Sequence, residues 1–195
     1  MQIIIVGCGK VGRTLTAQLS GENNNVTVVD TNGELVKGLA NYYDVMGVTG
    51  NGASYSVLAE ADIEHADVLI AVTHSDEVNL LCCVVARKAA NCHTIARVRN
   101  PVYSAERAFI RKELGLSMII NPEFAAAVEI ARLLRFPSAI DIDSFSKGRI
   151  ELLRFRVPAH SPLEGLALRD LPQKLQADVL ICIAERRQEV IIPDG

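Results

Sequence analysis

Gln2-Ile3-Ile4-Ile5-Val6-Gly7-Cys8-Gly9-Lys10-Val11-Gly12-Arg13-Thr14-Leu15-Thr16-Ala17-Gln18-Leu19 is the stretch that decides how this chain reads. An apolar run, Ile3–Val6, passes through a glycine-spaced turn directly into a helical pattern, Val11–Leu19. A second apolar run, Val26–Val29, then ends on Asp30. The glycine spacing alone is a weak signal. In the order strand, turn, helix, strand, with an acidic residue about 20 positions further on, it is the dinucleotide-binding fingerprint.

Each residue of the fingerprint has its own physical reason. Gly7 permits the tight turn out of the strand. Gly9, with no Cβ, lets a pyrophosphate approach the backbone, and Gly12 lets the helix pack closely on the strand. The helix N-terminus offers unpaired N–H groups and the positive end of its dipole to phosphates. Asp30 suits the adenosine ribose hydroxyls and repels a 2′-phosphate, which favours NAD(H) over NADP(H). The competing reading is a glycine turn in some other α/β protein, with Asp30 a solvated strand end; the intact strand–turn–helix–strand context favours the fingerprint.

Beyond this unit the alternation continues. Strand-like runs at Val45–Val48, Val68–Val72, Thr94–Val98 and Ser117–Ile120 are separated by helical patterns at Glu34–Tyr43, Tyr55–Ala61, Glu77–Ala90 and Tyr103–Leu114. Alternation at this spacing implies parallel pairing through right-handed crossovers, and runs apolar throughout imply helices on both sheet faces. The expectation is an α/β fold, a doubly wound, Rossmann-like parallel sheet of six strands over residues 1–136. A further helix is predicted from Glu123 to Phe136, stopped by Pro137, with Phe124, Val128, Ile130, Leu133 and Leu134 on more than one face. Such a helix needs two partners, its own domain and either a second subunit or the next domain.

Composition shifts after Pro137. Residues 138–195 read as the start of a small α+β C-terminal domain: polar from Ser138 to Arg149, a strand at Ile150–Val157, a helical piece from Pro162 through Leu168, an apolar strand at Val179–Ala184, and a hairpin tip at Arg186-Arg187-Gln188. The final Pro193-Asp194-Gly195 is a turn signal normally followed by more structure, so this domain is expected to be incomplete.

Ligands in open α/β sheets bind beyond the carboxyl ends of the strands, which selects the loops that follow them. Asn51 and Gly52 follow the third strand, where a close approach to a ligand and an ordinary turn are equally good readings. Thr73 and the backbone at His74 follow the fourth strand and face the adenosine side, while Ser75 or Asp76 serves as a helix cap. Arg97 and Arg99 alternate onto one face at the end of the fifth strand. Arg97 leans towards a phosphate or carboxylate ligand, and Arg99 towards an ion pair with Asp76, Glu77 or Glu106.

Bulk properties exclude several classes. A net charge of −3 with no basic stripe disfavours nucleic acid and anionic membrane. No apolar stretch reaches the length of a membrane span, and no basic leader precedes the first strand, so a cytoplasmic location is the default. The five cysteines form no Cys-x-x-Cys, and the four histidines do not fall at zinc spacings. Cys8 faces a helix N-terminus, an environment that lowers a thiol pKa, but no resolving cysteine accompanies it. Only His160 in the remainder is a typical acid/base group, and no nucleophile elbow occurs. Binding without turnover is expected, the alternative being a small NAD-dependent oxidoreductase with a pocket built from residues 138–195.

Met1 through Gly12, Asn25–Asp30, Thr49-Gly50-Asn51-Gly52, Ala71–Asn79 and Ile95–Pro101 together resemble the Trk potassium-uptake regulator (TrkA) family, whose nucleotide-binding units are the RCK or KTN domains. The resemblance covers residues 1–136 in order; residues 138–195 resemble, less distinctly, the start of the C-terminal regulatory domain. It implies a regulator that gates a membrane potassium transporter of the TrkH/TrkG type in response to NAD(H), ATP or ADP. It also implies pairing through the helix after the sixth strand, assembly into rings, and a position on the inner face of the membrane through the transporter. Carried over by position, the nucleotide contacts are Gly7, Cys8, Gly9, Lys10, Val11, Gly12, Asp30, Thr73, His74 and Arg97, with Asn51 and Gly52 beside them. The family more often has alanine or serine where Cys8 stands.

Overall fold

A computed structural model describes residues 1–135, 139–145, 149–176, 179–186 and 189–193. The chain forms two compact units, Met1–Glu129 and Ile130–Gly195. In the first, strands β1 (Gln2–Val6), β2 (Asn25–Asp30), β3 (Met46–Thr49), β4 (Val68–Ala71), β5 (His93–Arg97) and β6 (Met118–Ile120) form one sheet in the order β3-β2-β1-β4-β5-β6. Every pairing is parallel, with Ile5 opposite Val28 on one side and Ile70 on the other. This is the expected doubly wound sheet, and the strand order reverses between β1 and β4.

The strand sequences explain the layers. Successive side chains point to opposite faces, so Ile3 and Ile5 enter one core with Val28, Val36, Leu39 and Val72, while Ile4 and Val6 enter another with Leu58, Leu69, Cys83 and Val98. The first core lies under α1 (Lys10–Ser20) and α2 (Gly33–Tyr43); the second lies under α3 (Tyr55–Glu60) and α4 (Asp76–Ala89). Burial on both faces is why β1 is isoleucine-rich rather than alternating. Helix α4 follows the usual terminal rules: Ser75 accepts the Val78 amide, Asp76 and Glu77 occupy the first turn, and Arg87 and Lys88 the last.

The segment expected to be one helix over Tyr103–Leu114 is two, α5 (Pro101–Ala105) and α6 (Arg107–Glu113). Pro101 and the Asn100 cap start the first earlier than the apolar spacing suggested, and the backbone leaves helical geometry at Glu106. Helix α7 (Pro122–Arg135) carries the expected apolar residues but buries none: Phe124 is 67% exposed and Leu134 73%.

In the second unit, β7 (Ala139–Phe145) pairs antiparallel with β8 (Ile150–Phe155). No strand was expected before Ile150; Asp141 and Asp143, poor strand formers, disguised an alternation that β8 stabilises by pairing. The helix expected over Pro162–Leu168 is instead a series of turns, because Gly165 takes φ +78°. A short 3₁₀ turn, Leu168–Asp170, then leads into α8 (Leu171–Leu175). Of the apolar run from Val179, only Ala184 lies in a strand, β9 (Ala184–Arg186), whose partner β10 (Glu189–Ile191) ends opposite Ala184. Pro137, Arg187, Gln188 and the final Asp194-Gly195 lie outside the described residues. Among those described, no helix is long and apolar enough to cross a membrane.

Candidate functional site

The loops after β1, β2, β4 and β5 meet at the carboxyl edge of the sheet. Gly7 leaves β1 with φ +109°, and a Cβ there would lie 2.8 Å from the Thr73 nitrogen. Any side chain is therefore excluded by backbone strain and by the loop after β4. A Cβ on Gly12 would lie 1.7 Å from the Gly7 carbonyl oxygen, so the first turn of α1 rests directly on the glycine turn. At Gly9 nothing lies within 4 Å of the Cβ position. The turn is closed on the protein side and open on the other.

Helix α1 starts without a side-chain cap, as α3 and α6 do, whereas the other helices of this unit are capped. Asn32 caps α2, Ser75 caps α4, Asn100 caps α5, and Asn121 accepts the Phe124 amide in α7. Helix α1 begins at Gly9 with no side-chain cap. The first amides of a helix have no intrahelical acceptor. Those of α1 carry the positive end of the dipole to the same opening that Gly9 leaves. Lys10 is exposed at the mouth, and Val11 turns inward against the core under α1.

Cys8 departs from expectation. Its thiol is buried, and burial, reinforced by the Asp30 carboxylate, pushes its pKa up to about 12. Desolvation outweighs the helix N-terminus, so this thiol is not activated. Its backbone amide instead donates to Asp30 Oδ2 at 2.7 Å. Asp30 Oδ1 accepts the Asn32 amide at 2.9 Å, and the Asp30 carbonyl accepts the Gly50 amide at 2.9 Å. Asp30 thus ties together the loops after β1, β2 and β3.

The loop after β3 is also braced from within. Asn51 Oδ1 accepts the Ala53 amide at 3.0 Å, an Asx turn with the side chain exposed. Gly52 is buried, and a Cβ there would lie 2.3 Å from Val6 Cγ1, so its lack of a side chain serves packing.

The loops after β4 and β5 are joined by residues that periodicity does not single out. Asn79, fully buried on α4, accepts the Thr73 amide at 2.8 Å and the Thr73 hydroxyl at 2.7 Å through Oδ1; its Nδ2 donates to the Arg97 carbonyl at 2.9 Å. Asp76 Oδ2 accepts the amides of Arg99 and Asn100 at 2.8 and 2.7 Å. The Arg97 guanidinium donates to the Thr73 carbonyl at 3.4 Å and to Glu123 on α7. Arg99 reaches the carbonyl of the exposed His74 at 2.5 Å and stands 3.8 Å from Asp76. A polar asparagine on the core side of a helix was the available signal for Asn79, since such a group has to be hydrogen-bonded.

The structure therefore brings Gly7–Gly12, Asp30, Thr73 and Arg97 into one continuous set of contacts. His74 joins only through its carbonyl, and Asn51 and Gly52 sit on the adjoining loop. Among the described residues no group of three or more His, Cys, Asp or Glu could hold a metal ion. A cavity of about 500 Å³ lies at the opposite, amino edge, between Gln2, Asn25, Thr27, Met46 and Asp62, away from these loops.

Parallel pairing, strand order and a glycine turn at the switch point define a Rossmann-like α/β domain. The chain belongs to the TrkA-N domain family, whose model matches residues 3–122. It is 36% identical over 199 residues to the Trk system potassium uptake protein TrkA of Vibrio alginolyticus, covering 100% of this chain and 43% of that protein. It is 36% identical over 196 residues to a TrkA homologue of Archaeoglobus fulgidus, covering 100% and 44%. The chain thus spans less than half the length of these curated relatives. The crystal structure of the TrkA-N domain of the inner membrane protein ybaL from Escherichia coli matches with TM-score 0.61 and 26% identity, over 68% of this chain and 96% of that one. The GsuK channel bound to NAD matches with TM-score 0.53 and 26% identity, over 61% and 21%.

Proposed function

We propose that this chain is a nucleotide-binding regulatory part of a potassium uptake system, binding NAD(H), ATP or ADP without turning it over. The observation that carries this is the opening at Gly9, where an uncapped helix N-terminus meets a turn that leaves space for a diphosphate. The amides of Gly9 through Gly12 would hold the phosphates, and Asp30 the ribose hydroxyls. Thr73 and the backbone of His74 would line the adenosine side, Arg97 would meet a phosphate, and Asn51 and Gly52 would stand on the adjoining loop. The names of the TrkA relatives support the potassium role, and the GsuK structures with NAD and with ADP support the ligand class.

The partner is a membrane potassium transporter of the TrkH/TrkG type, which would place the protein on the inner membrane face. The exposed apolar residues of α7 would serve self-association into dimers and rings. Nucleotide would bias the ring between arrangements only by its differential affinity for them. Calorimetric titration with NADH, NAD, ADP and ATP tests the reading. Saturable binding of at least one, with no steady NADH oxidation against a panel of carbonyl compounds, is expected. Absence of binding by all four, or sustained turnover, would overturn it.

A further inference from the structure

Arg97 and Glu123 are unequal members of an ion pair. Arg97 ends β5, and its side chain is only 11% exposed. Its backbone is fixed by the ladder to Ile120 and by Asn79, and its side chain by the Thr73 carbonyl. Its Nε is buried with no hydrogen-bond partner among the described residues. Glu123 is the second residue of α7 and its side chain is 52% exposed. Removing an anion from a desolvated cation is costly unless another anion replaces it. Glu123 can leave at little cost, since water and the α7 dipole both accommodate its charge. Thr73, which holds the other side of Arg97, is the residue packed against Gly7 at the glycine turn.

We infer that Glu123 is an internal competitor for the anion site of Arg97, so that the first turn of α7 reads the charge of whatever ligand occupies the glycine turn. This rests on the nucleotide-binding reading above and adds its regulation. When a ligand phosphate reaches Arg97, it replaces Glu123 there. The start of α7 then loses its tie to β5. Ligands of equal shape and lower charge leave the tie in place. The exposed apolar residues that follow Glu123, Phe124 and Val128 among them, lie on the segment released.

The test uses the intact chain with ADP as probe, its occupancy fixed by calorimetry. Hydrogen exchange is followed over residues 122–128. In the wild type, ADP speeds exchange there by about two- to fivefold, the scale of one partly exposed ion pair. In Glu123→Gln, exchange is already fast, ADP adds nothing, and ADP binds about two- to fivefold tighter because its competitor is gone. In Arg97→Gln, exchange is also fast but ADP binds more weakly. Glu113→Gln, an exposed charge on α6, leaves both readouts at wild type. A gain of affinity is not what mere structural damage produces. The inference is overturned if Glu123→Gln responds to ADP as the wild type does, if it binds no tighter, or if Glu113→Gln reproduces its effect. Failure of ADP to bind the wild type in the calorimeter removes the underlying reading and this inference with it, an outcome visible before any exchange is measured.

Discussion

The Asp30 carboxylate accepts the Cys8 amide at 2.7 Å, so the acid at the end of β2 holds the glycine turn in shape from the neighbouring strand. Its second oxygen accepts the Asn32 amide at the start of α2. Removing the carboxylate leaves two backbone donors without their acceptor. Asp30→Ala is expected to cost about 1–3 kcal/mol of stability and a similar amount of NADH affinity, the range for charged hydrogen bonds at a partly buried site. Urea melts and calorimetry measure the two losses separately. Intact affinity in a folded variant would take Asp30 out of the site.

Gly9 and Gly12 separate ligand exclusion from damage to the fold. A methyl at Gly9 meets nothing within 4 Å, so Gly9→Ala should melt within about 1 kcal/mol of the wild type while weakening nucleotide binding by at least tenfold. A methyl at Gly12 falls 1.7 Å from a backbone oxygen, so Gly12→Ala must displace α1 from the turn. It is expected to lose about 3 kcal/mol, the upper end of the usual range for overpacking, because a backbone oxygen cannot give way as a side chain does. Equal melting temperatures for the two variants would contradict this assignment.

The sheet was legible because its physics is local. Ile3–Val6, Val26–Val29 and Val68–Val72 are apolar on both faces, and each is followed by a turn and a helical pattern. The glycine turn was legible because Gly7 and Gly12 are each needed for steric reasons that leave a mark in sequence. The ties between loops were not. Asn79 and Thr73 are six residues apart, and Arg97 and Glu123 twenty-six, and nothing in either spacing says that the chain returns to the same edge. At Cys8 helix proximity alone argues for a lowered pKa, and only burial, which needs the fold, reverses it. β7 was missed because a strand with two aspartates depends on β8 to exist.

Asn79 carries the junction between β4 and β5. Truncation to alanine strands the Thr73 amide and the Arg97 carbonyl in a buried position, at an expected cost of about 1–3 kcal/mol or more. Asn79→Asp keeps the acceptor for Thr73 but loses the donor to Arg97, so it should fall further at neutral pH by burying a charge. Denaturant melts of both variants give the order, and an aspartate variant as stable as the wild type would show the donor contact to be dispensable.

Cysteine reactivity should follow burial. Cys8, Cys82, Cys83 and Cys92 are buried, and desolvation holds every one of these thiols above its ordinary pKa, Cys8 and Cys82 at about 12. Cys182 is exposed. A disulfide reagent at pH 8 should therefore modify one thiol rapidly in the native protein, and all five after denaturation. Fast native labelling of Cys8, read by peptide mass, would mean that the glycine turn opens far more readily than its packing implies.

The Arg97–Glu123 contact also has a pH signature. Arg97 is the main cause holding the Glu123 carboxyl below its usual pKa. A depressed folded-state pKa means that the contact stabilises fully above the unfolded value, about 4.3 for a glutamate, and is lost as the pH falls through the folded value. Because the Glu123 side chain is 52% exposed, solvent screening keeps this contribution small. The melting temperatures of wild type and Glu123→Gln should therefore differ by a constant small amount from about pH 8 to 5, and converge below about pH 4. Glu77, whose carboxyl is also held low by its own amide, Ser75 and Tyr103, titrates alike in both proteins and cancels from the difference. A gap that persists unchanged into strong acid would show that the glutamine acts through something other than the lost charge.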